Sequence, residues 1–398
     1  MLKRKSHNTP GIITFTHNEV LFGIIRKYPE IRKFLKHLHD SGQYRFGVHI
    51  QGYCGFLREW PVGGWESFWM WSDPGESYLH NLPQERIIPL TCANFLPAPR
   101  IIRAADERNI DIMIISRPSD IKRIGLTMEI MSEIYRQQEN LRTVFIVPDS
   151  RRLEHGVKTY QRDDVARSYF EAPLKNFSCR ALKNISFISS ANESFGMFPL
   201  EERLVQDVLG KSRFMLLTSR KEGTPRVLVE ALMHGVRCFV SEDMEFGFRS
   251  DVADDLIWVP DCPEKAAGIM MDHLTRVPRE IQNPERYQRR YSCQTNIPVF
   301  TEYLQKILKV DLDPHEMFLE DLHLRLACHG QKSHFQFYNN PGLFMNWLKV
   351  YEQSDPYDED PFLDLGLKDR GGLRYNAIRY NMRSQLGRLK VRLLGNPV

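Results

Sequence analysis

Long apolar segments are absent from this sequence, and their absence excludes a membrane-spanning helix. Such a helix needs about 18 or more consecutive apolar residues, and no segment of the 398 residues approaches that length. The first eight residues are basic and no apolar core follows them, so they lack the pattern of a secretory signal. We therefore expect a cytoplasmic protein.

Paired cysteines are also absent. The seven cysteines are dispersed, and none forms a Cys-x-x-Cys pair: Cys54, Cys92, Cys179, Cys238, Cys262, Cys293 and Cys328. Disulfide frameworks and zinc sites use short fixed spacings, whereas an odd and scattered set is typical of reduced thiols in a cytosol. The histidines lack metal-ligand spacing as well. The sequence thus predicts neither a disulfide framework nor a metal site.

The sequence has no strong excess of charge of either sign. The formal net charge is +4 and the sequence pI is near 8.6, so the composition does not indicate a nucleic-acid partner. Hydrophobic residues at 42% and charged residues at 26% are typical of a soluble globular protein. The length suffices for two or three domains, each with its own core.

A Gly-x-Gly-x-x-Gly dinucleotide fingerprint is missing, yet strand and helix patterns alternate along the chain. The predicted strands lie at 11–16, 44–50, 86–90, 111–116, 142–147, 184–188, 214–217, 237–241 and 256–259, and predicted helices lie at 29–39, 126–137, 163–170, 201–209 and 264–274. This alternation favours an α/β fold with parallel, doubly wound sheets. Ligands of such sheets bind outside the carboxyl ends of the strands.

The most informative stretch is 214–243, in which a strand, a polar loop, a helix and a second strand follow one another. Thr224 is the predicted N-cap, Pro225 takes the first helical position, and Gly235 ends the helix. The N-terminus of a helix suits a phosphate or a cluster of sugar hydroxyls. The carboxylates of Glu222 and Glu230 would repel a phosphate but accept hydrogen bonds from hydroxyls. A nucleotide-sugar has both parts.

These residues resemble a known signature. Glu222-Gly-Thr-Pro, a gap of seven residues between the glutamates, and Glu230-Ala-Leu-Met-His-Gly are similar to the Glu-x7-Glu motif of retaining glycosyltransferases with the GT-B fold. That family, family four, includes enzymes like glycogen synthase and mannosyltransferases. The resemblance implies that Glu222 binds donor sugar hydroxyls, that Glu230 binds the ribose, and that the backbone at 223–227 supports sugar and phosphate. The donor-binding residues in that segment are Gly223, Thr224, Arg226 and Val227.

A second loop extends the resemblance. Arg117 and Lys122 follow the strand at 111–116 and are similar to the Gly-Arg-x4-Lys-Gly loop of the family, with Ser116 in place of the first glycine. The resemblance implies that both cations bind the donor diphosphate. Fixed cations stabilise a leaving diphosphate more than the ground state, because charge develops there as the glycosidic bond breaks. The alternative is a pair of solvated surface cations.

Two further departures from the family affect the interpretation. Residues 1–106 are too few for a complete N-terminal lobe, so that lobe is abbreviated or the tail of the chain completes it. Residues 241–247 lack the Gly-Gly pair that the family has near the donor, so donor contacts should differ.

Four tryptophans within 60–71 indicate either core packing or a lid or surface that stacks on carbohydrate.

One histidine is a candidate on the acceptor side. His17 follows the first strand at its carboxyl end, where a doubly wound sheet faces the cleft, and could act as a base or a hydrogen-bond partner. His49 lies within a strand and is a weaker candidate. Glu222, Arg117, Lys122 and His17 therefore form the predicted catalytic set.

The tail at 276–398 is predicted to be a helical extension, with helices at 298–308, 319–328 and 342–351 and an acidic linker at 352–364. Residues 367–398 hold eight Lys or Arg and one acidic residue, with apolar residues at helical spacing. Such a helix either lies on an anionic membrane surface, giving the protein a peripheral membrane contact, or packs back against the N-terminal half.

The sequence as a whole predicts a GT-B-like α/β protein of two Rossmann-like lobes with a cleft between them. The predicted units are an abbreviated acceptor lobe at 1–106, a donor lobe at 107–275 and the extension at 276–398. The implied activity is that of a retaining, metal-independent hexosyltransferase without a cofactor, acting in glycan or polysaccharide synthesis. Its partners would be a nucleotide-sugar and a glycan, lipid-linked or protein acceptor. The alternatives are a nucleotide-sugar epimerase and a non-catalytic nucleotide-sugar-binding module.

Overall fold

The computed structural model describes two parallel sheets that belong to two lobes. It describes residues 2–17, 19–21, 29–50, 57–71, 77–116, 120–147, 151–154, 157–160, 172–188, 202–276, 283–313, 317, 319 and 322–327. The N-terminal lobe has a four-stranded sheet of order β1-β2-β3-β4, and every pairing in it is parallel. Its strands are β1 Gly11–Thr16, β2 Tyr44–His49, β3 Glu66–Met70 and β4 Ile87–Ile88, and helix α1 is Pro29–Asp40.

The C-terminal lobe has a six-stranded parallel sheet of order β12-β11-β10-β5-β6-β9. Its strands are β5 Ile110–Ile115, β6 Thr143–Ile146, β9 Ile185–Ile188, β10 Ser212–Leu217, β11 Arg237–Ser241 and β12 Leu256–Val259. Read from β9 to β12, this is the order 3-2-1-4-5-6 of dinucleotide-binding folds, which binds ligands where the winding reverses. That reversal falls between β5 and β10.

Helices cover both faces of this sheet because side chains alternate along its strands. In β10, Phe214 and Leu216 join the cluster under the helices at 124–137 and 263–275. Met215 and Leu217 join the cluster on the opposite face, under the helices at 202–211 and 226–233. The helices after α1 are α2 Ile124–Gln137, α3 Ala172–Leu174, α4 Cys179–Lys183, α5 Glu202–Lys211, α6 Arg226–Met233, α7 Arg249–Val252, α8 Pro263–Thr275, α9 Pro284–Tyr291, α10 Cys293–Leu308 and α11 Leu322–Ala327.

Two strands and a hairpin differ from the expectations. The sequence did not predict β3, which lies in the tryptophan-rich segment, and β4 is two residues long where a strand at 86–90 was expected. The polar segment after β6 forms an antiparallel hairpin of β7 Arg151–Glu154 and β8 Val157–Tyr160. The helix predicted at 163–170 lies outside the described residues.

The four tryptophans belong to the core of the N-terminal lobe. Trp60, Trp65, Trp69 and Trp71 are each at most 1% exposed and pack in one cluster with Phe15 and Phe46. Trp65 meets the Phe15 and Phe46 rings edge to face at 5.7 and 5.9 Å between centroids. Because these rings are sealed from solvent, they are core residues and not a surface that stacks on carbohydrate.

Helices from the C-terminal extension complete the N-terminal lobe. Phe300 and Leu304 of α10 and Leu322 and Leu326 of α11 share one buried cluster with Ile12, Phe68, Met70 and Ile88, which lie on the other face of the N-terminal sheet. The chain therefore supplies late in its sequence the layer that its short first lobe lacks. The predicted segments at 342–351, 352–364 and 367–398 lie outside the described residues.

The two passages of the chain between the lobes run side by side. Leu96 accepts a hydrogen bond from the Cys293 backbone at 3.0 Å, and its own N–H donates to Tyr291 O at 3.2 Å. α9 packs on α6 of the C-terminal lobe, while α10 packs on the N-terminal lobe. Within the part of the chain that the structure describes, no helix is both long and apolar enough to cross a membrane.

Candidate active site between the lobes

The loop after β5 carries the first candidate cation. A single helical turn at Asp120–Lys122 ends at Lys122, and two hydrogen bonds fix this turn against the loop after β10. Arg220 N–H donates to Ile121 O at 2.9 Å, and Thr218 Oγ1 donates to Lys122 O at 3.1 Å. The loops at the reversal point of the sheet are thus joined through their backbones. Arg117, the second predicted cation, lies outside the described residues.

The loop after β10 carries Glu222 and is held by the loop after β11. Glu222 N–H donates to Glu245 O at 2.8 Å, Glu245 N–H donates to Arg220 O at 3.1 Å, and Gly247 N–H donates to Gly223 O at 3.1 Å. These three bonds hold the segment at 220–223 against the loop after β11. The backbone of the segment that lacks the expected Gly-Gly pair, at Glu245 and Gly247, therefore supports the Glu222 loop.

The start of α6 differs by one position from the prediction. Pro225, not Thr224, is the N-cap residue, α6 begins at Arg226, and no side chain caps it. Pro225 has a ψ of 85°, outside the helical range, so the first helical residue is Arg226. Gly235 follows the helix with φ +68° and ends it as predicted. Gly223 and Thr224 thus belong to the loop, and Arg226, Val227 and Glu230 belong to α6.

Lys122 and Glu222 meet at the centre of the site. Lys122 Nζ forms an ion pair with Glu222 Oε1 across 100 positions of sequence. The two side chains are 18% and 16% exposed, so the pair is partly shielded from water. An ammonium group has three donors and a carboxylate has two acceptor oxygens, so each partner keeps hydrogen-bonding capacity for a ligand. The ammonium group also balances the negative charge of the Glu222 carboxylate, which lets an anionic group approach.

The N-terminal lobe reaches this site through the turn after β4. Cys92 Sγ lies 3.8 Å from Thr224 Oγ1, so that turn rests on the Glu222 loop. Cys92 N–H donates to His49 Nε2 at 3.1 Å, and His49 Nδ1 donates to Leu326 O of α11 at 3.1 Å. His49 therefore links β2, the turn and the extension. This role was not predictable from the sequence, because both partners of His49 are distant in the chain.

His17 follows β1 directly and lies beside His49, as expected for the carboxyl ends of neighbouring strands. Burial lowers the pKa of His17 to about 4, although a hydrogen bond with the His49 backbone acts in the opposite direction and raises it. Burial also lowers the pKa of His49 to about 3, and the nearby charge of Arg226 adds to the effect. Both rings are neutral at pH 7. A neutral imidazole with so low a pKa suits a hydrogen-bond partner better than a general base.

Acid should destabilise the protein through its buried histidines. His17, His49 and also His234 have pKa values of about 4, 3 and 4, each lowered first by burial, against about 6.5 unfolded. Between those values the unfolded chain binds more protons, so stability rises with pH. We expect the free energy of unfolding to fall by about 3 kcal/mol in total from pH 6 to pH 5. Urea denaturation at the two pH values measures it.

The matched variant for this experiment is His17→Gln, which should reduce the loss by about one third, since one of the three groups no longer titrates. A free energy of unfolding that stays constant between pH 6 and pH 5 would contradict the burial of these rings.

Comparisons with known proteins bear on the fold. The chain is similar to a glycosyltransferase from Rickettsia africae ESF-5, with a TM-score of 0.51 and 10% identity over 77% of this chain and 100% of that one. It is also similar to the N-terminal domain of Candida albicans trehalose-6-phosphate phosphatase, with a TM-score of 0.50 and 10% identity over 76% and 71% of the two chains. The comparison with TarM gives a TM-score of 0.49 and 13% identity, and the matched region covers 73% of this chain and 54% of TarM.

The chain thus spans about half the length of TarM. No protein-family model matches the sequence, and no curated protein matches it significantly. At these identities the likeness concerns the fold alone. Together with the two parallel sheets, it defines an α/β protein with the GT-B-like fold of glycosyltransferases.

Proposed function

We propose that this protein is a glycosyltransferase that moves a sugar from a nucleoside-diphosphate sugar to an acceptor hydroxyl. The observation that carries the proposal is the contact between Lys122 and Glu222 at the point where the winding of the C-terminal sheet reverses. Open α/β sheets bind their ligands at this point. A cation and a carboxylate side by side match a ligand that is a phosphate at one end and a polyol at the other.

The donor site of this proposal uses both residues at once. Lys122 keeps one N–H on Glu222 and directs the others at the diphosphate, whereas the second oxygen of Glu222 accepts from a sugar hydroxyl. The loop backbone at 223–227 and the N-terminus of α6 add N–H groups and a partial positive charge. Glu230, one turn into α6, accepts from the ribose hydroxyls, and Arg117 joins Lys122 on the diphosphate.

The reaction proposed is a retaining transfer without a metal ion or cofactor. The bond between the anomeric carbon and the diphosphate oxygen breaks, and the acceptor oxygen bonds to the anomeric carbon on the same face of the sugar. The acceptor proton passes to the leaving phosphate oxygen. Lys122 stabilises the negative charge that develops on that phosphate, which lowers the barrier more than it lowers the ground state.

The acceptor side of the proposal lies in the N-terminal lobe. His17, at the carboxyl end of β1, donates or accepts a hydrogen bond with the acceptor hydroxyl. The physical support is its position beside His49, and thus near the Cys92 turn that touches the Glu222 loop. The acceptor class remains a glycan, a lipid-linked sugar or a protein in glycan or polysaccharide synthesis.

Nucleoside diphosphates should stabilise the protein. At 100 times its dissociation constant, a ligand that binds only the folded state adds about 2.7 kcal/mol, so one of UDP, GDP and ADP should raise the melting temperature measurably. The matching nucleotide-sugar should then release its nucleotide diphosphate when an acceptor is present, which chromatography detects. The corresponding nucleosides serve as controls, because they lack the phosphates that Lys122 would bind.

The outcomes separate the candidate functions. No stabilisation by any nucleoside diphosphate would contradict the proposal. Binding without release under any acceptor would indicate a nucleotide-sugar-binding module, and conversion of the sugar without an acceptor would indicate an epimerase.

A further inference from the structure

Arg123, the residue after Lys122, has a backbone conformation that arginine rarely adopts. Its φ and ψ are 52° and 43°, in the left-handed region, and it precedes α2 without a side-chain cap. Residues with a Cβ seldom adopt this conformation, because the Cβ comes too close to the following carbonyl oxygen. Residues held in such conformations cluster at functional sites, where the surrounding structure determines them.

The guanidinium of Arg123 joins two further loops of the site. One nitrogen donates to both Asp243 carboxylate oxygens at 2.9 and 3.1 Å, and the other forms an ion pair with Asp261. Ser241 Oγ donates to Asp261 Oδ1 at 2.8 Å. Arg123 is 14% exposed, so the pairs are partly shielded. Asp243 belongs to the loop after β11, and Asp261 follows β12.

Consecutive residues therefore attach one loop to three others. Lys122 binds Glu222 in the loop after β10, while Arg123 binds the loops after β11 and β12. The left-handed turn at Arg123 lets neighbouring side chains reach different partners. A shift of Arg123 would move Lys122 as well, because one peptide bond separates their Cα atoms by 3.8 Å.

We propose that Arg123 is a positioning residue, which fixes Lys122 for the diphosphate through its ion pairs with Asp243 and Asp261. This inference rests on the proposed function. Direct binding of phosphate by Arg123 fits the site less well, because the two carboxylates occupy the guanidinium and would repel an anion. Glycine, which adopts the left-handed conformation freely, would relieve the backbone strain but would lose both attachments.

The experiment compares affinities for a nucleoside diphosphate and its monophosphate by calorimetry, using the full chain and the base that stabilises it most. Arg123→Gly should weaken binding of the diphosphate at least 10-fold while weakening binding of the monophosphate less. The double variant Asp243→Asn with Asp261→Asn should show the same selective loss. Combining all three substitutions should add little further loss, because residues in one network do not act additively.

Each other result has a distinct meaning. Tighter diphosphate binding by the Asn variant would show that Arg123 binds the phosphate itself, and this overturns the positioning role. An equal loss for both nucleotides, or no loss in Arg123→Gly, also overturns it. If the unmodified protein binds no nucleoside diphosphate, the proposed function fails and this inference fails with it.

Discussion

Replacing Lys122 with methionine is expected to lower kcat/KM for sugar transfer about 100- to 1000-fold, the range seen when one stabilising donor is removed from a transition state. Methionine keeps the length and the apolar stem of lysine but has no charge to place on the leaving phosphate. It also leaves Glu222, only 16% exposed, without its partner, so the carboxylate would face the diphosphate directly. Initial rates with the active donor and acceptor measure the effect.

Lys36→Met is the matched control for this substitution. Lys36 forms an ion pair with Asp40 in α1, but the two side chains are 54% and 53% exposed. Exposed pairs contribute about 1 kcal/mol or less, so kcat/KM should stay within about twofold. A Lys122→Met enzyme that folds and transfers sugar at the normal rate would remove Lys122 from the proposed mechanism.

Trp65→Ala should lower the free energy of unfolding by about 3–5 kcal/mol, the range for a large aromatic residue removed from a core. Trp65 is fully buried, and its indole packs edge to face against both the Phe15 and Phe46 rings, which stack on each other. The cavity left by alanine cannot close without moving strands β1 and β2. Urea denaturation followed by circular dichroism measures the change.

Val62→Ala is the control within the same segment of chain. Val62 is 51% exposed, so its truncation should change stability by about 0.5 kcal/mol or less. Equal, small changes for the two variants would indicate that Trp65 lies at a surface, contrary to the core position that the structure gives it.

The elements that sequence analysis predicted well are those whose signal is local. Strands β5, β10 and β11 each contain a short apolar run, because helices cover both faces of the sheet there. The helix over 126–137 was also recognised from its apolar stripe and differs from α2 by two residues at its start. Buried parallel strands can thus be predicted from the local sequence, without knowing which strands lie beside them.

The elements that were missed depend on partners elsewhere in the chain. The hairpin of β7 and β8 is polar, so its sequence carries no strand periodicity. Strand β3 was missed because it lies among four tryptophans, which pack in one cluster with Phe15 and Phe46 from other segments. The cover of the N-terminal sheet by α10 was left open, because contacts such as the one between the Phe95 and Phe300 rings, 5.4 Å apart, join distant segments.

The site was predictable only in part. Lys122 and Glu222 were placed together because both follow strands, and carboxyl ends of adjacent parallel strands meet at one edge. The ion pairs of Arg123 were not predictable in this way, since a left-handed conformation in an arginine depends on its partners. The placement of Arg117 stays a prediction, as do the roles of every other site residue: Lys122, Glu222, His17, Gly223, Thr224, Arg226, Val227 and Glu230.

The late arrival of α10 and α11 has a consequence for synthesis on the ribosome. Strand β4 ends at Ile88, but the residues that cover its sheet, beginning with Phe300, are translated more than 200 residues later. At about 5–20 residues per second, that interval lasts roughly 10–40 s. During it the nascent chain presents Ile12, Phe68 and Met70 to solvent, and chaperones that bind apolar segments should engage it there.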